Sequence, residues 1–486
     1  MRLLALSLAL ALPAAAANDA KNPTWWDKYQ YLLNNGPDAL VTTAPATSST
    51  NVDVSNECGP QSETFIAINP SRPKQLAAGS NEIFRDPMRG FFSNDNGATW
   101  GGVDLPLPPA IGTNGIRFGS DPTLAWDTSG RLYYGYIVVF FGNGNGINGT
   151  EMAVARSLDG GKTYPSVTLF DFQGGSNHFN DKPMITADTN ARSPFRDNVY
   201  IAWDAASGGS TTGGGVRVAR SSDNGKTFTS VRADDACGPG RSIGATITTG
   251  PDGQVYVAWN HYVANAIVFN SSLDGAATFG TPTVISFKNA PFDVGIPAQF
   301  FRRALVYPAC DADRSSGPHR GRINCSWMDL NSAGNTDIYA SVSDDGGATW
   351  SAPTTVAEHL GGVDRFNHWL ATDAVTGQVA VSYYDTRNDT TGLGYMTDIY
   401  LSRGDGVRFG ASEKVTDAPS NEHDCNGLFP CRSINYGNQQ GDYEGVASYG
   451  GTVHAIWTDS RRNQDTAGGA CSSRGLMEEV FTATVK

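Results

Sequence analysis

The octapeptide "SNDNGATW", residues 93–100, is the first of a set of related segments along the chain. Close copies begin at 157 (SLDGGKTY), 221 (SSDNGKTF), 272 (SLDGAATF) and 343 (SDDGGATW), and a degenerate copy, SRGDGVRF, begins at 402. Asp and Asn side chains accept backbone N–H groups in tight turns, Gly permits positive φ, and Thr satisfies a nearby backbone group. A catalytic aspartate is needed once, not six times. The repeat therefore predicts a structural hairpin turn, called here the Asp-motif turn.

The spacing of these turns predicts the architecture. Their starts are separated by 64, 64, 51, 71 and 59 residues, a period typical of propeller blades. A strand–turn–strand pattern interleaves with them and occurs seven times, for example in ATITTGPDGQVYVAWN (245–260) and GVASYGGTVHAIWTD (445–459). We therefore predict an all-β chain folded as a single seven-bladed propeller, with a six-bladed ring as the alternative.

The last unit lacks a fourth strand. Its third strand, EVFTATVK (479–486), ends the chain. The segment 38–56 can supply the missing strand and close the ring by pairing the two ends of the chain. Closure would satisfy edge hydrogen bonds that would otherwise be exposed.

Composition limits the partners. The chain of 486 residues has 17% charged residues, and its 35 Lys and Arg against 48 Asp and Glu give a net charge of −13. The absence of a basic run argues against nucleic acid and anionic membrane as partners. An acidic substrate is still compatible with this charge if basic residues converge locally. We expect a monomer.

The N-terminus predicts export. One Arg, an apolar run and small residues up to Ala17 form a signal peptide, 1–17. An N-terminal segment, 18–57, and the propeller, 58–486, follow. The seven cysteines fit an oxidising, extracellular compartment. The favoured disulfide is Cys310–Cys325, with Cys425–Cys431 and Cys58–Cys237 as further pairs, and four Asn-X-Ser/Thr sites allow glycosylation at Asn148, Asn270, Asn324 and Asn388.

The repeats resemble the Asp-boxes of the sialidase superfamily of propellers, over roughly residues 58–486. In that superfamily the boxes lie on the face opposite the active site. True sialidases also carry an Arg-Ile-Pro element, an arginine triad and a Tyr/Glu nucleophile pair. This sequence has no Arg-Ile-Pro, and its nearest string is VGIP at 294–297. Blade count and size also resemble the seven-bladed lyases that release rhamnose from rhamnosyl-glucuronate side chains of gums.

Two sets of loops are expected to form the binding face. Loops that lead into each innermost strand offer Glu63, Arg117, Asp121, His178, Asp181, Lys182, Arg241, Arg302, Arg303, Arg365, His368, Asp442, Tyr443 and Glu444. Loops between the second and third strands offer Arg85, Arg89, His261, Tyr262, Asp329, Asp385, Arg387, Asp459, Arg461 and Arg462. Many of these are arginines, which bind carboxylates in bidentate fashion. The pattern favours an acidic sugar, such as a uronate or a sialic acid, as the ligand, although Arg387 and Arg461 could instead pair with Asp385 and Asp459.

The first hypothesis is a polysaccharide lyase that cleaves a rhamnose–glucuronate linkage by β-elimination. A cation would neutralise the uronate carboxylate, a base would remove the C5 proton, and an acid would protonate the leaving oxygen. His261, Tyr262 and His178 are the predicted catalytic residues. The predicted substrate-binding residues are Arg85, Arg241, Arg303, Arg365, His368, Arg387, Tyr443 and Arg461.

Two other hypotheses remain. A sialidase-type exo-glycosidase on an acidic sugar would use two carboxyl groups, drawn from Glu63, Asp121, Asp181, Asp442 and Glu444, which could instead be structural caps at the starts of strands. A non-catalytic glycan-binding propeller is the alternative from another class. The sequence requires no cofactor. Some of the aspartates could bind Ca²⁺ through oxygen ligands, although no loop has EF-hand spacing.

Overall fold

The computed structural model describes residues 23–37, 50–112, 115–141, 147–174, 178–207, 215–234, 242–299, 302–423, 440–462 and 478–486. The signal peptide predicted at 1–17 lies outside these ranges. One helix, α1 (Pro23–Asn35), and a short strand, β1 (Val52–Asp53), precede the first blade.

Seven sheets form the blades of one ring, so the predicted seven-bladed propeller is confirmed and the six-bladed alternative is excluded. The first three blades are made of β2 (Gln61–Ile68), β3 (Leu76–Glu82), β4 (Arg89–Ser93) and β5 (Gly101–Asp104); β6 (Ile116–Trp126), β7 (Leu132–Phe141), β8 (Ile147–Ser157) and β9 (Ser166–Gly174); and β10 (His178–Ala187), β11 (Val199–Ser207), β12 (Gly215–Ser221) and β13 (Thr229–Arg232).

The remaining blades follow the same antiparallel order. Blade 4 is made of β14 (Ser242–Thr249), β15 (Val255–His261), β16 (Ala266–Ser272) and β17 (Thr283–Phe287), and the pair β18 (Asp293–Val294) and β19 (Ala304–Leu305) leads to blade 5, made of β20 (Pro308–Ala312), β21 (Ile323–Leu330), β22 (Thr336–Ser343) and β23 (Thr354–Thr355). Blade 6 is made of β24 (Arg365–Thr372), β25 (Val379–Asp385), β26 (Met396–Gly404) and β27 (Glu413–Lys414), with β28 (Ser420–Asn421) also on β26, and blade 7 of β29 (Gly445–Tyr449), β30 (Thr452–Asp459) and β31 (Glu479–Val485).

The two ends of the chain close the ring. Strand β1 pairs with β31, with Val52 opposite Thr482 and Asp53 opposite Phe481. Each innermost strand contacts the innermost strand of the next blade, and β29 contacts β2. The closing strand was predicted within 38–56, and the structure places it at the end of that segment.

The Asp-motif turns all lie on one face of the ring, called here the lower face, together with the turns between first and second strands. In the first copy, Ser93 donates to Asp95, and Asp95 accepts the Thr99 N–H at 2.9 Å and the Thr99 hydroxyl. The Gly97 N–H donates to Ser93 Oγ at 3.0 Å. The same bonds recur around Asp159, Asp223, Asp274 and Asp345. The structural interpretation of the repeat therefore accounts for its residues.

Apolar residues between neighbouring blades form the core. Four tryptophans in second strands are almost fully buried: Trp203, Trp259, Trp327 and Trp457. Burial of a large apolar side chain contributes about 2–3 kcal/mol each. The repeated second-strand pattern seen in the sequence is therefore the packing layer between blades.

The helix α1 lies on the upper face, where the innermost strands begin, against blades 1 and 2. Trp25 is completely buried, Tyr29 stacks on Phe141 with ring centroids 4.2 Å apart, and Tyr31 stacks on Phe84 at 3.9 Å. Thirteen residues is too short for a stable isolated helix. Its apolar contacts with the propeller therefore hold it in place. No helix in the described ranges is long and apolar enough to span a membrane.

The predicted Cys310–Cys325 disulfide is confirmed, and it joins directly opposed residues of β20 and β21. Cys58 is also disulfide-bonded. Its predicted partner Cys237, the predicted pair Cys425–Cys431, and Cys471 lie outside the described residues.

Candidate functional site

The innermost strands share a bulge where they begin, at the upper face. Five of them shift register there, between Ser62 and Phe65 in blade 1 and at the matching positions of blades 2, 3, 4 and 6. The same position of each bulge has positive φ: Glu63 (54°), Asp121 (60°), Lys182 (45°), Gly244 (72°) and Asn367 (43°). Bulges re-aim side chains, and left-handed non-glycine residues store strain that is concentrated at functional sites. The upper mouth of the central channel is therefore the candidate site.

Polar side chains of one blade hold the bulge of the next. The Asn81 side chain donates to Glu63 at 2.7 Å and accepts the Asp121 N–H at 2.8 Å. Asp204 accepts the Gly244 N–H at 2.5 Å. These bonds fix the backbone around the mouth and so pre-organise the side chains that it carries.

Lys182 crosses the channel axis. It leaves blade 3, and its Nζ lies 4.5 Å from the ring centroid of Tyr307, 5.3 Å from Trp369 and 5.2 Å from Tyr443, which belong to blades 5, 6 and 7. The side chain is buried, and its Nζ has no hydrogen-bond partner in the described structure. An ammonium group in an aromatic cage is stabilised by the ring quadrupoles. Burial lowers the pKa of Lys182 to about 8, although nearby carboxylates oppose this.

Arg302 joins two carboxylates across the same mouth. Its guanidinium donates to Glu63 Oε1 at 2.5 Å and to Asp442 Oδ1 at 2.7 Å. Arg302 and Glu63 are almost completely buried, whereas the Asp442 side chain keeps 11% of its surface exposed. Asp442 is therefore the member of this triplet that a ligand can reach.

Asp181 is the second reachable carboxyl group. The residue is partly exposed, and its neighbour Asp121 is buried. Burial raises the pKa of Asp181 well above its usual range, and the Asp121 charge and a hydrogen bond with Asp121 raise it further. Carboxyls that share a buried site disfavour one another's ionisation, so the protonated form of Asp181 is favoured.

Asp442 has a different environment. Burial raises the pKa of Asp442 above its usual range, and the Arg302 ion pair and the Lys182 charge offset only part of that rise. Asp181 and Asp442 interact electrostatically, so they belong to one cluster. An ion pair favours the ionised form of Asp442, whereas a neighbouring carboxyl favours the protonated form of Asp181, and such a difference suits a base or nucleophile beside a general acid.

Glu63 and Glu444, which are also candidates from the sequence, are almost completely buried. Burial raises the pKa of Glu63 well above its usual range, and the Asp121 charge adds to this. Burial raises the pKa of Glu444 to about 8, although Thr64 and Tyr384 donate to its oxygens at 2.5 Å. These two carboxyls therefore hold neighbouring residues of the mouth in place and are too buried to contact a ligand.

The predicted arginines of the upper face are engaged in ion pairs. Arg365 is fully buried between Asp337 and Asp385, both at 2.8 Å. The others pair as Arg85–Asp104, Arg303–Asp293 at 2.8 Å, Arg387–Asp385 at 2.6 Å and Arg461–Asp459 at 2.8 Å. Of these, Arg303 is the most exposed, with half of its side-chain surface in solvent. Arg241 lies outside the described residues.

The predicted aromatic and histidine residues occupy three environments. Tyr443 and His368 are buried at the mouth, and burial lowers the pKa of His368 to about 4. His261, partly exposed at the end of β15, accepts the Ala264 N–H on Nδ1 at 3.0 Å. Tyr262 lies beside Phe292. His178 begins β10, and its side chain is not described. That any of these contacts a substrate stays a prediction.

The site residues predicted from the sequence leave out most of the centre of the mouth. Lys182, Arg302, Asp181 and Asp442 are among the predicted loop residues but not among the predicted catalytic or substrate-binding residues, and Tyr307 and Trp369 belong to neither set. Aligned segments at strand starts, SETF (62–65), SDPT (120–123) and DKPM (181–184), place Glu63, Asp121 and Lys182 at one structural position. The alignment of these three segments is the sequence pattern that marks the three residues as equivalent positions of the mouth. Among the described residues, no group of three or more His, Cys, Asp or Glu side chains has the geometry of a metal site.

Similarity to known proteins is limited to the fold. No family model and no curated protein matches the sequence. A leech intramolecular trans-sialidase is 13% identical, with 76% of this chain and 70% of that chain covered and a TM-score of 0.48. An α-L-arabinofuranosidase of Fusarium graminearum is 12% identical, with 73% and 97% covered and a TM-score of 0.46. The Ruminococcus gnavus intramolecular trans-sialidase is 13% identical, with 66% and 89% covered and a TM-score of 0.44. Likeness this distant assigns no activity, so the function must be argued from the site.

Proposed function

We propose that this protein is a carbohydrate-active enzyme of the glycoside hydrolase type, acting at the upper mouth of the channel. The observation that carries the proposal is the pair of reachable carboxyls at one mouth, Asp442 ion-paired with Arg302 and Asp181 beside the buried Asp121. Glycosidases cleave the glycosidic bond with two carboxyl groups, one protonated and one ionised. This favours the glycosidase hypothesis over the lyase hypothesis.

In the proposed mechanism, Asp181 donates its proton to the leaving glycosidic oxygen. Asp442, ionised beside Arg302, either attacks the anomeric carbon or removes a proton from the attacking water. Lys182 supports the negative charge of Asp442 from the channel axis. After the first bond is cleaved Asp181 is ionised. If Asp442 has attacked, Asp181 removes a proton from a water that hydrolyses the glycosyl–Asp442 ester, which regenerates both carboxyls. If Asp442 has instead taken the proton of the attacking water, it releases that proton to solvent and Asp181 regains one from solvent.

The proposed substrate is an oligosaccharide or a polysaccharide side chain outside the cell. An acidic sugar remains part of the proposal because Arg303 is half-exposed near the mouth. The buried ion pairs of Arg365, Arg387 and Arg461 support a structural role for these three side chains.

The test uses methylumbelliferyl glycosides of neutral and acidic sugars, together with gum arabic. Asp181→Asn and Asp442→Asn should each lower kcat by about 10²–10⁴-fold, because each removes one proton-transfer or nucleophilic group. Asp345→Asn is the matched control, since it alters an exposed carboxylate on the lower face. Full activity in both site variants would overturn the proposal.

A lyase is the second candidate function, and the hydrogen bond of His261 is the observation that bears on it. Because His261 accepts a hydrogen bond on Nδ1, its neutral form carries the proton on Nε2. In that tautomer Nε2 has no lone pair to remove the C5 proton, so His261 would act in a lyase as a hydrogen-bond donor to the leaving oxygen. A lyase would release a product with the ultraviolet absorbance of an unsaturated uronate and would lose activity in His261→Ala. A binding module would retain the glycan unchanged.

A further inference from the structure

The lower face carries a second cavity, at the opposite end of the channel from the proposed active site. Its volume is about 620 Å³. All seven blades contribute to its lining through their first hairpins, including Ser71, Thr128, Asn190, Pro251, Ser316, Val375 and Tyr449. It is continuous with a smaller cavity of about 220 Å³ further along the channel, since both are lined by Pro70, Thr189, Arg314, Ala374 and Tyr449.

Four arginines line this cavity: Arg192, Arg196, Arg314 and Arg320. No Asp or Glu is among the described residues of the lining. Although the chain as a whole has a net charge of −13, every charged side chain among the described residues of this lining is a cation. In a concave surface with a low-dielectric wall such a charge focuses the field and attracts anions.

The arginines divide into fixed and available ones. Arg314 is largely buried, pairs with Asp311 at 2.8 Å and donates to Thr248 at 2.9 Å. Arg320 reaches Asp252 at 3.3 Å, with most of that carboxylate exposed. Arg192 and Arg196 are exposed, and within the described part of the chain they have no ion-pair partner.

Neighbouring carboxylates are already engaged. Asp188 accepts the Asn190 N–H and the Ser193 hydroxyl, and Asp197 accepts the backbone N–H and hydroxyl of Thr128 at 2.8 Å. These bonds hold the hairpin that carries Arg192 and Arg196. The two guanidinium groups therefore project from a rigid base.

We propose that this cavity is a second binding site, for an acidic oligosaccharide that carries several carboxylate or sulfate groups. The guanidinium groups would pair with the acidic groups, and the hydroxyls of Ser316 and Tyr449 would bond the sugar hydroxyls. The Ser71 and Thr128 hydroxyls already donate to side-chain oxygens of the protein and would act as acceptors. Hydroxyl groups set between cations favour a glycan over an acidic peptide. The site would tether the protein to an acidic polysaccharide while the upper face stays open.

The test is calorimetric titration of the full protein with a hexagalacturonate and with a heparin-derived hexasaccharide. Arg192→Ser/Arg196→Ser should weaken binding about 10- to 100-fold, as expected for the loss of two charge-assisted contacts. Arg408→Ser is the control, since Arg408 is an exposed arginine of the sixth Asp-motif on the same face. Asp181→Asn, at the opposite face, should bind both oligosaccharides normally, which separates this proposal from the proposed activity.

Four outcomes would overturn it. One is unchanged affinity in the double variant, and another is an equal loss in Arg408→Ser, which would indicate diffuse attraction. Equal binding of a polyglutamate of the same charge would remove the glycan assignment. Inorganic sulfate that binds as tightly as the hexasaccharides would show a single-anion site.

Discussion

At the scale of single residues, the chemistry of the upper mouth depends on a cluster of buried charged side chains that interact with one another. Lys182, Arg302 and the carboxyls around them come from blades 1, 2, 3 and 7 and the segment before blade 5. Removing one partner from such a cluster leaves the others buried and uncompensated. The charges therefore act on one another's pKa values, and single substitutions should be visible in pH profiles.

Lys182→Met is the sharpest substitution of this kind. It keeps the apolar stem inside the aromatic cage and removes the Lys182 charge, which lowers the pKa of Asp442 together with Arg302. The acidic limb of the kcat/KM profile, where Asp442 must be ionised, should therefore move up by about 0.5–1 pH unit. An unchanged acidic limb, with normal folding, would contradict a role for Lys182 beside Asp442.

At the same scale, the sequence shows which types of residue occupy the loops but not which partners they meet in the folded ring. The arginines of the loops were visible, but their partners Asp104, Asp337 and Asp417 lie on other segments. Ion pairing across the fold is not encoded in local spacing. Lys182 likewise contacts rings more than 120 residues away, so no local pattern shows that it crosses the axis.

At the scale of elements, the Asp-motif turn is stabilised by the charge of its aspartate. Hydrogen bonds from Thr99 lower the pKa of Asp95 to about 2. A carboxylate with a lowered pKa contributes stability that is present above its ordinary pKa, near 4, and is lost as the pH falls toward 2.

Asp95→Asn should therefore lower the Tm by about 1–3 °C at pH 6, because the turn loses a charge-assisted acceptor. The difference from the wild type should shrink at pH 2.5, where the native carboxylate is itself becoming protonated. Calorimetry at both pH values measures this. A gap that stays constant or widens on acidification would contradict the assignment.

The helix α1 is held by a small set of contacts. Trp25 is completely buried, and its Nε1 donates to Ser120 Oγ at 2.7 Å, while Ser120 in turn donates to Asp121 at 2.5 Å. The helix thus reaches the carboxyl cluster through one hydroxyl. Its buried residues Trp25, Tyr29 and Leu32 recur at helical spacing in the sequence. This spacing is the local pattern that indicates an amphipathic helix in the N-terminal segment.

Trp25→Ala should release α1 from the propeller, because it removes a completely buried indole and its hydrogen bond to Ser120. We expect proteolytic cleavage within 23–35 to accelerate at least about tenfold, since cleavage follows local opening. Leu33→Ala is the control on the same helix, because Leu33 is exposed. Equal protection of the Trp25→Ala and control helices would show that these contacts do not hold α1.

At the scale of the whole molecule, the ring is closed by a pairing that joins residues 52–53 to the last strand. Side chains reinforce it: Arg462 pairs with Asp53 at 2.6 Å and with Glu479 at 3.0 Å, and Asp417 accepts the Thr50 N–H at 2.5 Å. Blade number and closure could be predicted because turn motifs and strand periodicity are local. The channel contacts could not, because they exist only once the ring has closed.

Chains that begin at residue 50 and at residue 57 test the closure, since the first keeps β1 and the second lacks it. Loss of β1 exposes the edge of β31 and leaves Arg462 without Asp53. The shorter chain should therefore melt at least about 5 °C below the longer one and aggregate more readily. Equal Tm values for the two chains would mean that the pairing adds no stability.

The most direct test of the central claim is the product of the reaction. Wild-type protein incubated with the glycoside panel and gum arabic is followed by NMR for new reducing ends and by ultraviolet absorbance for unsaturated uronate. The account predicts new reducing ends without that absorbance, lost in Asp181→Asn and Asp442→Asn and retained in Asp345→Asn. Unsaturated uronate that persists in both site variants would contradict it.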